Sequence, residues 1–295
     1  MRRRISTAVL GLFVCTLTVA HAADAADTTR TVFVTVVDDK GQAVPGLVPE
    51  DFAIKEAGKD RVITSVEPAR AKIRLALMVE ETLVPMIAVR SGLADFVKRM
   101  YQDAEISLIV VGQRNVTAVD FTSDPNALMA GINALTLSQQ RVQTMVPEGV
   151  YEMAKNFEKA KPERPVMVLV ALETQQVSAE EPQNVLNQLG RSRAMMSVVS
   201  MEGGGSVAGG VGSQMDMAGR AQVMGDGSKQ SGGRRVEVAA LTGMPKALQQ
   251  VADDLSSQYL ITYTLPDGVK PSDRLTVTLK KKGPTLRAPT KISDK

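Results

Sequence analysis

The chain has 295 residues, with 35 Lys plus Arg, 32 Asp plus Glu, one His, one Cys and no Trp, for a formal charge of +3. Three of the basic residues, Arg2, Arg3 and Arg4, lie in a predicted export signal, so the mature chain carries 32 positive and 32 negative groups. A net charge near zero gives no field for nucleic acid or an anionic membrane, and neither is expected as a partner.

The signal reads as Arg2-Arg3-Arg4, an apolar stretch from Ala8 to Ala20, and the small-x-small site Ala20-His21-Ala22. The apolar core is too short for a stable bilayer anchor, so no membrane span is expected after cleavage. Val14 is too bulky for the small residue that lipidation needs just before Cys15. Residues 1–22 are assigned to the signal, and the product to the periplasm or to secretion beyond it. The only His and the only Cys, His21 and Cys15, leave with the signal. The mature chain then has no Ser-His-Asp triad, no Cys-His nucleophile, no thiolate or imidazole zinc site and no disulfide.

Residues 23 to 29 read as a small polar leader, and Val32 to Val37 as a strand followed by the turn Asp38-Asp39-Lys40-Gly41. Phe52 to Lys55 and Val62 to Val66 are short strands around Gly58. From Lys72 the pattern changes. Ile73 to Val79 is nearly continuous apolar sequence, as in a strand buried on both faces. Met86, Val89, Leu93, Phe96, Val97 and Met100 then share one helical face. Ile106 to Val111 is a second buried strand, with Val116 to Phe121 as its hairpin neighbour. Helices are predicted at 125–135 and 148–160, and a third buried strand at Pro165 to Leu172. Ser178-x-x-Glu181 suggests a capping box before a helix bearing Val185, Leu186 and Leu189.

Ala194 to Met201 is a fourth strand. Residues 202 to 233 hold eleven of the 23 glycines and no aromatic residue, and read as a flexible loop. Gly203-Gly204-Gly205-Ser206 lacks the Gly-Lys-Ser/Thr ending of a phosphate loop. The segment leaves the carboxyl end of a sheet strand, where α/β folds bind ligands, and could cover that end. Pro245 opens a helix with Leu248, Val251, Ala252 and Leu255 on one stripe. Gln258 to Thr264 and Arg274 to Lys280 are strands separated by the turn Pro266-Asp267-Gly268, and Lys280-Lys281-Lys282 reads as a solvated, charge-blocked edge.

Strands alternating with helices imply a doubly wound, mainly parallel sheet. The expected organisation is a β segment over 23–70, an α/β domain over 71–257 and a β segment over 258–295, the two β segments pairing in one small domain.

Several phrases resemble the bacterial von Willebrand factor type A-related proteins of the acidobacterial type. They are Val34-x-Val36-x-Asp38-x-x-Gly41-x-x-Val44-x-Gly46-Leu47, Glu50-Asp51-Phe52-x-Ile54-x-Glu56-x-Gly58, Gly232-Gly233-Arg234 and Leu255-x-x-Gln258-Tyr259-x-x-x-Tyr263-x-x-Pro266. The resemblance covers nearly the whole mature chain. It implies a von Willebrand A (Rossmann-like) domain, export, and a binding rather than catalytic role.

That resemblance also implies a place to look for Mg²⁺, the site called MIDAS. Its first loop is Asp-x-Ser-x-Ser, and a second-loop threonine and a later aspartate complete it. Here the first loop reads Glu80-Glu81-Thr82-Leu83-Val84, Thr144 is the second-loop candidate, and Glu173 stands where Thr-Asp-Gly is expected. One hydroxyl is lost at Val84, and two carboxylates are longer by a methylene. Mg²⁺ demands oxygen ligands at about 2.1 Å in near-octahedral geometry, and Ca²⁺ tolerates misplacement better. No cofactor is expected, with two readings left for the face of Glu80, Glu81, Thr82, Thr144 and Glu173. It is a set of solvated carboxylates that recognises a basic group on a partner, or it binds Mg²⁺ or Ca²⁺ weakly.

Three functions compete. The first is an exported protein-binding module that uses this face. The second is a structural component docking through the β domain, with Phe52 and Tyr263 as test positions. The third is a hydrolase built on a carboxylate pair such as Glu80 and Glu173. Ten aromatic residues and no Trp make a sugar cleft a poor expectation.

Overall fold

The computed structural model describes residues 28–82, 86–135, 143–172, 175–201 and 211–293. The predicted signal, most of the leader, Val84, Glu173 and the 203–206 glycine run lie outside the described residues. Thr28 and Thr29, read as leader, already belong to the first strand.

The elements run β1 (Thr28–Val37), β2 (Phe52–Glu56), β3 (Lys59–Pro68), β4 (Ile73–Glu80), α1 (Ile87–Met100), β5 (Ala104–Val111), β6 (Asn115–Thr122) and α2 (Pro125–Ala134). After these come β7 (Gln143–Thr144), α3 (Val146–Ala160), β8 (Arg164–Ala171), β9 (Gln175–Gln176), α4 (Pro182–Ser192), β10 (Met195–Met201) and α5 (Val211–Ser231). The chain closes with β11 (Arg235–Val238), α6 (Met244–Ser256), β12 (Tyr259–Leu265), β13 (Leu275–Leu279) and β14 (Thr285–Arg287).

Two six-stranded sheets dominate the described residues. One has the order β11-β10-β8-β4-β5-β6. Its neighbours are parallel except for the β5–β6 hairpin at the edge. Side chains alternate across its central strands. Leu75, Leu77 and Val79 pack with Leu93 and Phe96 of α1 and Leu248 and Val251 of α6. Ala76 and Met78 pack on the other face with Val150 of α3, Val185 of α4 and Val223 of α5. Burial on both faces is why these strands lack a polar alternate residue.

The second sheet has the order β13-β2-β3-β12-β1-β14 and draws on both ends of the chain. β1 pairs antiparallel with β12, and β2 with β13. Its core holds Val34, Phe52, Ile54, Ile261 and Tyr263. The two sheets meet at Arg164, which is 4% exposed. It donates to Gln258 Oε1 at 2.8 Å and to the Leu255 carbonyl at 2.5 Å.

The main departure from the sequence reading is α5. Residues 211–231 form a helix, not a flexible loop. Helical spacing buries Arg220, Val223, Met224, Gly227 and Ser228. Small residues sit there because neighbours come close. A Cβ on Gly227 would lie 2.5 Å from Met196 Cε, and one on Gly233 would overlap the Met196 carbonyl. The Ser178 capping box also does not form. Glu181 is the N-cap of α4 and Pro182 opens it. Ser178 Oγ instead donates to Glu148 Oε1 at 3.0 Å.

Candidate functional site

β4 ends at Glu80, and its carboxyl end opens between β5 and β8 at the same end of the sheet. Glu80 is not a solvated carboxylate: it is 1% exposed. Its Oε1 accepts from Thr144 Oγ1 at 2.6 Å. Its Oε2 accepts from the Leu172 amide at 2.6 Å and from Arg220 Nη2 at 2.7 Å. Arg220, itself 6% exposed, also donates to the Leu172 carbonyl at 3.0 Å.

The pieces come from four places in the chain. The buried run of β4 delivers Glu80, the short strand β7 delivers Thr144, the end of β8 delivers Leu172, and α5 swings Arg220 across the top. β7 is held by parallel pairing with β9, Thr144 opposite Gln176. An isolated buried carboxylate is costly, and an opposite charge with further hydrogen bonds offsets that cost. Glu80 has both.

Thr82 is also buried, at 1%. Glu81 is partly exposed; its amide donates to the Val111 carbonyl at 2.9 Å, and its carboxylate lies over Gly112. A cleft of about 180 Å³ beside them is lined by Glu80, Glu81, Thr82, Met86 and Leu135, among others. The structure therefore brings Glu80 and Thr144 into contact and sets Glu81 and Thr82 alongside. Among the described residues, no three His, Cys, Asp or Glu side chains converge on one point.

Three large apolar side chains stand out at this same end of the sheet. Ile87 opens α1 and is 81% exposed, Val116 near the start of β6 is 58% exposed, and Met215 in the first half of α5 is 72% exposed. Phe52 and Tyr263, the test positions for docking through the β domain, are 2% and 0% exposed and belong to its core.

Sequence reasoning missed Arg220. The signal was there in one form: Arg220, Val223, Met224, Gly227 and Ser228 have helical spacing, but the glycine content around them masked it.

No protein-family model matches the chain, and no curated protein matches it either. Solved von Willebrand A structures are among those it is similar to. The von Willebrand factor type A protein from Catenulispora acidiphila is 9% identical, with 89% of this chain and 74% of that one covered and a TM-score of 0.46. The vWF domain of the type V pili tip protein Mfa5 from Porphyromonas gingivalis is 10% identical, with 63% and 96% covered and a TM-score of 0.47. An aerotolerance-related membrane protein from Bacteroides fragilis is 13% identical, with 62% and 98% covered and a TM-score of 0.44. Among the described residues, no helix is long and apolar enough to cross a membrane.

Proposed function

We propose that this chain is an exported, non-catalytic protein-binding module of the von Willebrand A type, whose cation position is filled by its own arginine. One observation carries the reading: the Arg220 guanidinium lies on Glu80, the residue standing where the family's first metal-binding aspartate would be. Both Glu80 oxygens already accept from protein donors. A hexacoordinate cation needs such oxygens undonated and converging, and repels a guanidinium at the same place. The residues here do not fit Mg²⁺, and no step is assigned to one.

Partner recognition then has to run through other chemistry. We place recognition at Ile87, Val116 and Met215, the exposed large apolar side chains at this end of the sheet. A carboxylate hydrolase on Glu80 is disfavoured for the same reason as a metal, because its oxygens are taken up by Thr144, Leu172 and Arg220. Export rests on the Arg2-Arg3-Arg4 and Ala20-His21-Ala22 signal. The Mfa5 domain comes from a pilus tip, which accords with an envelope or extracellular setting.

The test has two arms. Partner capture from an envelope extract should be equal in EDTA and in millimolar Mg²⁺ or Ca²⁺. Capture should be lost in Ile87→Asp or Met215→Asp, surface changes that leave the melt intact. Capture abolished by EDTA, or micromolar Mg²⁺ binding by calorimetry, would overturn the self-filled site. Capture that survives all three aspartate changes, Val116→Asp included, would move the binding face elsewhere.

A further inference from the structure

The closed carboxylate of Glu80 has an open neighbour. Side chains alternate along β4, so Glu80 shares a face with Met78, on the side of α5, while Glu81 shares one with Val79, on the side of α1 and α2. Glu81 is partly exposed, and among the described residues its carboxylate accepts no hydrogen bond and joins no ion pair. It lines the cleft of about 180 Å³ at this end of the sheet. That volume is below the range of sites for drug-sized ligands and suits a single side chain.

Small residues make the recess. β6 has an extra residue at Ala118, which falls between the Thr117–Ile109 and Val119–Leu108 pairs. Such bulges re-aim a strand beside a site. Gly131 and Ala134 of α2 and Val110 of β5 line the cleft with it. Ala118 and Ala134 are exposed, and Val110 and Gly131 partly so, which leaves the recess open to an incoming group. Gly112 gives the carboxylate its room, because a Cβ there would stand 2.5 Å from Glu81 Oε2.

The charge in the cleft has one sign. Glu80 and Glu81 line it, and among the described residues no Lys or Arg does. Arg220 neutralises Glu80, which leaves Glu81. α2 ends here, at Ala134, without a basic residue in its last turn, and the carboxyl end of a helix favours a cation. Arg90 of α1 donates to the Leu135 carbonyl, one residue past that turn, and is not part of the cleft wall. Exposed apolar groups flank the recess. Val116 lies directly opposite Val110 in the β5–β6 pair, and Ile87 follows Met86, which also lines the cleft. Anchoring side chains of a partner seat in pockets of this kind, ringed by weaker contacts.

We propose that this cleft receives a lysine side chain of the partner protein, its stem against Val110, Ala118 and Gly131 and its ammonium on the Glu81 carboxylate. Lysine matches both parts of the recess, because its four-carbon stem is apolar and its head is a compact cation. The proposal rests on the protein-binding role and narrows it to one chemistry. The probe is butylammonium, with ammonium and 1-butanol as head-only and stem-only controls, titrated into the full chain and followed at the amide resonances of Ala118, Gly131 and Ala134. Butylammonium should shift them saturably and bind at least fivefold more tightly than either control. Glu81→Gln should remove that margin and keep the melt, because the carboxylate has no partner among the described residues to lose. Ala134→Leu should block the stem and weaken butylammonium at least fivefold. In envelope extract, Glu81→Gln should cut partner capture at least fivefold. No saturable shift, equal affinity for 1-butanol, or unchanged affinity in Glu81→Gln would each overturn the proposal. Capture lost in Ile87→Asp but kept in Glu81→Gln would overturn it too, and would leave the protein-binding role intact. Capture that survives all three aspartate changes would move the binding face elsewhere and take the proposal with it.

Discussion

Arg220 reaches across 140 residues of chain to place Nη2 2.7 Å from Oε2 of Glu80. The pair is buried on both sides, with side chains 7% and 0% exposed. Removing one member of such a pair leaves an uncompensated buried charge, at a cost of about 3–5 kcal/mol, whereas replacing both by apolar groups is often neutral. Arg220→Met should therefore lower the urea midpoint far more than Glu80→Leu/Arg220→Met does. The comparison is made at constant m-value. Equal losses in the single and double variants would show that Arg220 acts by packing, not as the counter-charge of Glu80.

α5 and the turn that follows it depend on missing side chains. Gly233 faces the Met196 carbonyl, which belongs to the β10 backbone, while Gly227 faces the flexible end of the Met196 side chain. Gly233→Ala should cost more than about 3 kcal/mol, at or above the usual overpacking penalty. Gly227→Ala should cost less than about 1 kcal/mol, because Met196 can rotate and alanine favours helix by up to about 1 kcal/mol. Thermal melts of the two variants check the ranking.

These two sites also show what the sequence could and could not tell. β4, β5, β8 and β10 were legible because strands buried on both faces leave apolar runs such as Ile73–Val79. α3 and α6 were legible from stripes such as Leu248, Val251 and Leu255. α5 was not, because its buried face is made of an arginine, small residues and only two large apolar ones. Composition measures average hydrophobicity, and close backbone approach needs glycine instead. Glu80, Thr82 and Thr144 are picked out by the resemblance to the metal-site loops of the von Willebrand A family. Their state is not, since a carboxylate closed by an arginine 140 positions away has no local signature. β14 and β11 are too short to show a period of two.

The contact between the sheets carries a pH signature. Desolvation lowers the Arg164 pKa to about 10. Below that value the group is protonated both folded and unfolded, so it adds no slope at neutral pH. Lysine in its place starts from about 10.4 and is lowered by the same burial. The unfolded chain then binds more protons than the folded one, and stability rises with pH. Arg164→Lys should be less stable than the parent at pH 7 and should recover part of the difference by pH 9. Urea melts at the two values decide it, and a gap that widens with pH would refute the burial argument.

Inside the terminal sheet, Glu56 ties both ends of the chain together. Its Oε1 pairs with Arg30 of β1 at 2.7 Å and accepts from the Ser272 amide at 2.7 Å, while its Oε2 accepts from Tyr263 Oη at 3.0 Å. The carboxylate is fully buried. Tyr263→Phe keeps the ring and removes one hydrogen bond to a charged group, at a cost of about 1.5–3 kcal/mol. Arg30→Met leaves the carboxylate without its counter-charge and should cost about 3–5 kcal/mol. Hydrogen exchange locates the loss. If the two sheets open separately, Arg30→Met should speed exchange in β1, β2 and β12 while amides of β4 and β8 keep their protection. Equal acceleration in both sheets would show instead that Arg164 and Gln258 couple them into one cooperative unit.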